Sequence, residues 1–276
     1  MDIRKKLLEM VREDLGKGDI TSEVLIEEEK MADAEIVAKE RGILAGVREA
    51  ALLFKLLGVK VRILKKDGSS IAPATKIMKL SGKARKILAG ERTALNLLMR
   101  MSGIATTTKK FVEEARKGNP KVIVAATRKT APLLTVFDKK AVVIGGGYPH
   151  RYTLSDQILI KDNHLRLVGS VEKAVRMAKA AGKGKVEVEV TKAEDALVAA
   201  GAGADIVMLD NMSVGEIKRA MRLLKSGGVK KVILEASGGI DISDVRRVAA
   251  TGVDIISSSC ITLRAPPVDM SLEIVF

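Results

Sequence analysis

The chain has no tryptophan, two tyrosines and four phenylalanines, so aromatic residues fill only 2% of its 276 positions. Platforms that stack single-stranded nucleic acid are built from aromatic rings, and that function class loses its usual support here. There is one cysteine, Cys260, and there are two histidines, His150 and His164. A lone cysteine forms no internal disulfide, which points to a reducing compartment and a cytoplasmic protein. With no HxxxH or CxxC spacing, these three residues also exclude a zinc cluster. No apolar run approaches the ~20 residues that cross a bilayer. The opening MDIRKKLLEMVRED carries acids and a helical period, unlike a signal peptide. Neither GxxxxGK(S/T) nor GxGxxG occurs, so phosphate-loop and dinucleotide chemistries lack their marker.

What is abundant is basic charge. Lysine and arginine number 48 against 34 acids, a formal net charge of +14. The plain reading is solubility, or the lysine and glutamate enrichment of heat-adapted proteins, with which the single glutamine, Gln157, agrees. The sharper reading is an anionic partner. The basic residues are dispersed rather than gathered into an arm, which favours small multiply charged anions over nucleic acid.

Apolar residues make up 47% of the chain, enough for one or two domains with a large core. Residues 2–13 have Ile3, Leu7, Leu8 and Val11 at helical spacing. Gly16 and Gly18 then break the pattern, and Asp19 and Thr21 suit a turn. Residues 31–39, 59–64 and 76–82 read as strands, with VREAALLFKLLG between the first two as a helix ending at Gly58. A long helical pattern from Lys83 to Lys117, with an interruption at Ser102–Gly103, closes this α+β module.

From Lys121 the pattern changes. Seven apolar runs, KVIVAAT, AVVIGG, QILIKDN, KVEVEV, DIVMLDN, VILEASG and DIISSS, read as strands, and helical segments separate the last five. Strict alternation means parallel βαβ units. Seven strands predict a (β/α) barrel short of the usual eight, with an open doubly wound sheet as the alternative. Pro266 and Pro267 break the series, and MSLEIVF reads as a last strand that returns to the N-terminal module.

The chain is organised around Thr127–His164, which holds both histidines together with Arg128, Lys129, Arg151 and Lys161, close to apolar β-prone runs. Solvated lysines rarely sit inside such runs, so the stretch suggests an anion pocket. In a parallel barrel the active site lies at the carboxyl ends of the strands. Those ends carry Arg128 and Lys129, then His150 and Arg151, then Lys161, Glu187 and Glu189, Asp210, Glu235 and Ser237, and finally Ser259. The strand period of two turns the valines of KVEVEV outward and both glutamates inward. The mouth therefore has a cationic side and an acidic side. Guanidinium and ammonium groups bind carboxylates and phosphates. Carboxylates bind ribose hydroxyls or Mg²⁺. A structural ion-pair network is the competing explanation for such inward charge.

The runs EDLGKGDITS, ERTALNLLMRMSGIAT, TRKT, GGGYPHRYTLSDQILIKDNH, EVEV, MLDN, LEASGGI and GVDIIS resemble, in order, the quinolinate phosphoribosyltransferase family. The resemblance covers nearly the whole chain, and HR followed by LIKDNH is its most specific part. It implies an N-terminal α/β sandwich over residues 1–104, a seven-stranded incomplete barrel over 105–264, and a C-terminal strand, 265–276, returning to the sandwich. It implies conversion of quinolinate and phosphoribosyl pyrophosphate to nicotinate mononucleotide, pyrophosphate and CO₂ with Mg²⁺, by a cytoplasmic homodimer with shared active sites, a hexamer being a larger alternative. Neither nucleic acid nor membrane is an implied partner. Carried over by position, Arg128, His150, Arg151 and Lys161 hold the quinolinate carboxylates, and Lys129 lies between substrate and pyrophosphate. Glu189 and Asp210 bind the ribose hydroxyls and the metal, and Ser237 and Gly238 contact the 5′-phosphate. Arg92 enters the neighbouring subunit's site. Two departures stand out. APLL follows TRKT where relatives have a Pro-Gly pair, and Ser259 stands where a glycine is common.

Three rivals remain at this level. A lyase would use Lys161 or Lys129 as a Schiff-base amine. A nucleic-acid binder rests on charge alone. The molybdenum-transport-associated branch of the same family is expected to lack the LIKDNH lysine and its KDNH run, both present here.

Overall fold

The computed structural model describes residues 2–229 and 231–275. The chain divides into two compact units, Met1–Thr107 with Ala265–Phe276, and Thr108–Arg264.

The first unit opens with α1 (Ile3–Leu15), whose N-terminus is capped by the Asp2 carboxylate accepting from the Arg4 N–H, and which buries Leu7 and Val11. Gly16, at φ +54°, ends it. The expected turn after Gly18 is instead a second short helix, α2 (Ile20–Leu25), because the Asp19 side chain accepts from the Ser22 N–H and hydroxyl and starts a new turn. Next come β1 (Met31–Ala38), β2 (Gly42–Ile43), α3 (Val47–Leu56), β3 (Lys60–Ile63), β4 (Ser70–Ile71) and β5 (Lys76–Lys83). The long helix α4 (Ala84–Gly118) follows and runs without interruption. The sequence predicts a break at Ser102–Gly103, but both residues serve packing. Ser102 Oγ accepts from the Ala45 N–H at 3.0 Å and donates to the Ala45 carbonyl at 3.2 Å. A Cβ at Gly103 would lie 2.1 Å from the Pro266 carbonyl oxygen, so glycine lets two backbones touch.

The second unit contains β6 (Ile123–Ala125), α5 (Thr135–Ile144), β7 (Ile158–Ile160), α6 (Asp162–Val168), α7 (Val171–Ala180) and β8 (Val186–Val190). It continues with α8 (Ala193–Gly201), β9 (Ile206–Asp210), α9 (Val214–Ser226), β10 (Ile233–Ser237), α10 (Val245–Ala249) and β11 (Ile255–Ser257). A 3₁₀ turn, Ser259–Ile261, closes the series. The last strand, β12 (Met270–Val275), belongs to the first unit and pairs antiparallel with β1, in the sheet order β12-β1-β5-β3. Phe276, the end of the expected final strand, lies outside the described residues.

Six strands of the second unit form one parallel sheet in the order β6-β11-β10-β9-β8-β7. The second of the seven expected strands, AVVIGG, is not a strand. Its apolar residues finish α5, where Phe137, Ala141 and Val142 are buried together at helical spacing. The chain then turns at Gly147, where a Cβ would come within 2.7 Å of Thr108 and 2.9 Å of Val142. Tyr148 alone pairs beside β6, its N–H donating to the Val124 carbonyl at 2.8 Å and its carbonyl accepting from the Ala126 N–H at 2.9 Å. Along β8 the alternation holds: Val186, Val188 and Val190 are buried on one face and Glu187 and Glu189 occupy the other. Among the described residues no helix is long and apolar enough to cross a membrane.

Candidate active site

At the carboxyl ends of the six parallel strands lies a cavity of about 280 Å³. Its walls follow from what each strand end carries. Arg128 and Lys129 follow β6 on a loop tied at both ends: the Lys129 N–H donates to Thr127 Oγ1 at 3.0 Å, and its carbonyl accepts from Thr262 Oγ1 at 2.8 Å. His150 and Arg151 come two and three residues after the Tyr148 bridge. Arg151 is buried, and its guanidinium donates to the Gln157 carbonyl at 3.2 Å. Burial, then the neighbouring Arg128 cation, lower its pKa. Lys161 stands directly after β7, where its backbone N–H donates to His164 Nδ1 at 2.9 Å. His164 thus fixes the start of α6.

The acidic wall is Glu189 at the end of β8 and Asp210 at the end of β9. Glu189 Oε2 lies 2.5 Å from Lys161 Nζ, which joins the two walls. Asp210 accepts from Asn211 Nδ2 at 2.7 Å. The third side is Ser237, Gly238 and Ser257, with Ser257 Oγ donating to Ser237 Oγ at 2.9 Å. Gly238 has φ +89°, and a Cβ there would meet the Asn211 backbone nitrogen at 2.7 Å. The position accepts only glycine, and it leaves the loop backbone open to a ligand.

Beneath these walls lies a buried cluster. His150 adopts a left-handed backbone at φ +55°. Its Nε2 is 3.3 Å from Glu235 Oε2 and 3.5 Å from Glu187 Oε2, and both glutamate side chains are fully buried. Gln157 Nε2 donates to Glu187 at 2.8 Å. Burial alone would lower the His150 pKa, but the Glu187 and Glu235 carboxylates beside it dominate and raise it to about 9. Burial raises Glu187, opposed by His150. Lys139, fully buried on α5, donates to the Pro149 carbonyl. Burial, then Arg128 and Arg151, bring its pKa down to about 8.

The cavity therefore gathers Arg128, Lys129, His150, Arg151, Lys161, Glu189, Asp210, Ser237 and Gly238 from the sequence-derived set. Ser259 starts the 3₁₀ turn and does not line the cavity, where Ser257 stands instead. Arg92 is an exposed residue of α4 in the first unit. Sequence reasoning left three features unassigned. The inward face of β8 and β10 marked Glu187 and Glu235 but not their shared partner. Lys139 lay hidden in a segment read as approaching a strand. Asn211 and Ser257 carried no signal beyond lying near strand ends.

Two family models divide the chain between them: "Quinolinate phosphoribosyl transferase, N-terminal domain" matches residues 19–102 and "Quinolinate phosphoribosyl transferase, C-terminal domain" matches residues 104–273. The chain is 46% identical, over 99% of its length and 98% of the relative's, to a probable nicotinate-nucleotide pyrophosphorylase (carboxylating) of Methanothermobacter thermautotrophicus. It is 38% identical to the human nicotinate-nucleotide pyrophosphorylase (carboxylating), covering 88% of this chain and 82% of that one. Among solved structures, NadC from Streptococcus pyogenes superposes with a TM-score of 0.90 at 37% identity, over 99% of this chain and 97% of that one. With both domain models in sequence order and full-length relatives well above 30% identity, the chain belongs to the quinolinate phosphoribosyltransferase family.

Proposed function

We propose that the chain transfers a phosphoribosyl group to quinolinate with loss of CO₂, giving nicotinate mononucleotide and pyrophosphate. The observation that carries this reading is the single cavity with opposed walls, cationic from β6 to β7 and acidic from β8 to β9, in a member of this family. Quinolinate carries two adjacent carboxylates. Arg128, Arg151, Lys161 and His150 supply a set of donors suited to both. Lys129, beside Arg128, faces the pyrophosphate side. Glu189 and Asp210 accept from the ribose hydroxyls. Ser237, Ser257 and the open backbone at Gly238 suit the 5′-phosphate.

The ribose C1–pyrophosphate bond breaks as the pyridine nitrogen bonds to C1, and positive charge develops on the sugar. Both reactants must be held in line, and the site does this by charge and shape without a covalent nucleophile. Once the ring nitrogen is quaternary, the bond from C2 to its carboxylate breaks, CO₂ leaves, the electron pair stays at C2 stabilised by the ring nitrogen, and C2 then takes a proton from water. The cationic wall keeps the ring in place throughout. Glu189 and Asp210 would hold a Mg²⁺ through their carboxylates. Bound there, the ion would neutralise charge on the leaving pyrophosphate.

The reading extends to architecture. The Tyr148 bridge stands where a seventh strand would join β6, and we take the six-stranded sheet as the wall of an incomplete barrel completed by that segment. Cys260, the one cysteine, agrees with a reducing, cytoplasmic setting. Arg92 is exposed on α4, while its neighbours Leu95 and Leu98 are buried. In a symmetric homodimer, Arg92 would serve the partner's cavity. Arg92→Ala and Lys161→Ala homodimers are then each nearly inactive. After subunit exchange they recover toward about a quarter of wild-type activity, because half the dimers carry one intact site. No recovery despite proven exchange would remove Arg92 from a shared site.

The function itself is tested by incubating the protein with quinolinate, phosphoribosyl pyrophosphate and Mg²⁺. Nicotinate mononucleotide, pyrophosphate and CO₂ should appear in equal amounts. Absence of product with a folded protein would reject the assignment.

A further inference from the structure

The cluster beneath the cavity has more acid than the reaction needs. Glu187 and Glu235 come from β8 and β10, are fully buried, and converge on one ring nitrogen of His150 at 3.5 and 3.3 Å. One ligand atom from each of the three residues lies within 4.8 Å of the others. Oε1 of Glu187 and both carboxylate oxygens of Glu235 lack a hydrogen-bond partner among the described residues, so the 3.3 Å approach of Glu235 to His150 is an ion-pair contact. Leaving buried carboxylate oxygens unpartnered is costly, so the arrangement calls for an explanation. His150 itself is held in a left-handed backbone that a non-glycine residue rarely adopts. Such strain persists where surrounding structure over-determines it. Here it aims the ring between the two strands.

We propose that Glu187 and Glu235 are positioning residues that grip His150 through Nε2 and keep its second nitrogen, Nδ1, protonated as a donor to a carboxylate of the ligand. A neutral imidazole that donates from Nε2 has a bare Nδ1, which would repel a carboxylate. Two acids around one ring remove that state. The raised His150 pKa, about 9, agrees with the geometry. Arg128, Lys129 and Arg151 line the same cavity as His150. The Tyr148 ring packs edge-on at 6.3 Å. The part concerning the ligand rests on the phosphoribosyl-transfer reading; the part concerning the ring does not.

The chain has only two histidines, so ¹H–¹⁵N spectra of the imidazoles give a clean titration, with His164→Gln to assign the signals. In the free protein His150 should remain protonated through pH 8, with Nε2 and Nδ1 both carrying hydrogen. Glu187→Gln and Glu235→Gln should each move its midpoint down, and the double variant should bring it near the ordinary 6.5. Quinolinate binding by wild type should be flat from pH 7 to 8. In the double variant it should weaken by about tenfold per pH unit above the new midpoint, as expected for loss of one bound proton, while phosphoribosyl pyrophosphate binding stays unchanged. A wild-type His150 that titrates in the ordinary range overturns the proposal without any variant having to fold. So does a ring whose signals shift on addition of micromolar Zn²⁺ and return with chelator, since the cluster would then be a metal site. If His150 titrates as expected but quinolinate does not bind at any pH, the grip on the ring stands and the substrate reading fails.

Discussion

The four-stranded and the six-stranded sheet each hold acid on a strand with little exposure, and they treat it in opposite ways. On β1, Glu35 lies 2.6 Å from Lys76 and 3.1 Å from Lys79 on the neighbouring β5. Hydrogen bonds to those lysines hold its carboxyl below the ordinary range. On β8 and β10, Glu187 and Glu235 have only a histidine between them, and burial pushes Glu187 the other way. Size does not separate the two regions. The groove over β1, β3 and β5 is about 390 Å³, larger than the 280 Å³ strand-end cavity. What separates them is that the second set belongs to a strand-end cavity with a cationic wall and an acidic wall. Paired charge on a sheet face is ordinary solvated structure. Charge left facing a cavity, with cations on the opposite wall, is a site waiting for a ligand.

The largest expected effect comes from removing a charge on the cavity side. Lys161→Ala should fold normally and lose roughly 100- to 1,000-fold in kcat/KM, the loss typical of a charge-stabilising donor. Glu35→Gln, the counterpart on the antiparallel sheet, should leave kcat/KM unchanged. Near-normal kinetics in the Lys161 variant would erase the distinction between the regions. A smaller and more selective effect is expected on the acidic wall. Glu189→Ala or Asp210→Ala should weaken phosphoribosyl pyrophosphate binding by roughly tenfold, the loss of one hydrogen-bonded charged group, and quinolinate binding much less. Titration calorimetry showing the reverse preference would exchange the roles of the walls.

The smallest effect lies outside both sheets. Leu133 sits at φ +63° and is 80% exposed, in the APLL segment. Leucine in the left-handed region costs ~1–2 kcal/mol, and glycine returns part of that as unfolded-state entropy. Leu133→Gly should therefore stabilise the protein by about 0.5–1 kcal/mol in chemical denaturation. An unchanged or lowered midpoint would show that this loop is not strained.

Much of this was legible in the chain. The period-two pattern of KVEVEV placed Glu187 and Glu189 on the cavity face, and the repeated strand–helix units gave the parallel sheet. The failures share one cause: local pattern does not report what a residue packs against. AVVI has no period that distinguishes strand from helix, and its helix is set by Phe137 one turn earlier, buried with Ala141 and Val142. Gly103 looked like a helix breaker but is a contact point for the Pro266 backbone, far along the chain. The grip of Glu187 and Glu235 on His150 joins three separate segments, so no spacing rule could have shown it. Arg128, Lys129, Arg151 and Lys161 were visible because charges at the ends of buried strands are unusual by themselves.

The central claim is that the cationic wall is built for two adjacent carboxylates. Comparing kcat/KM for quinolinate and for nicotinate, which lacks the second carboxylate, at fixed phosphoribosyl pyrophosphate tests it directly. Quinolinate should be preferred by roughly 100-fold or more, the scale of losing a charge-assisted bidentate contact. Equal turnover of the two acids would contradict it.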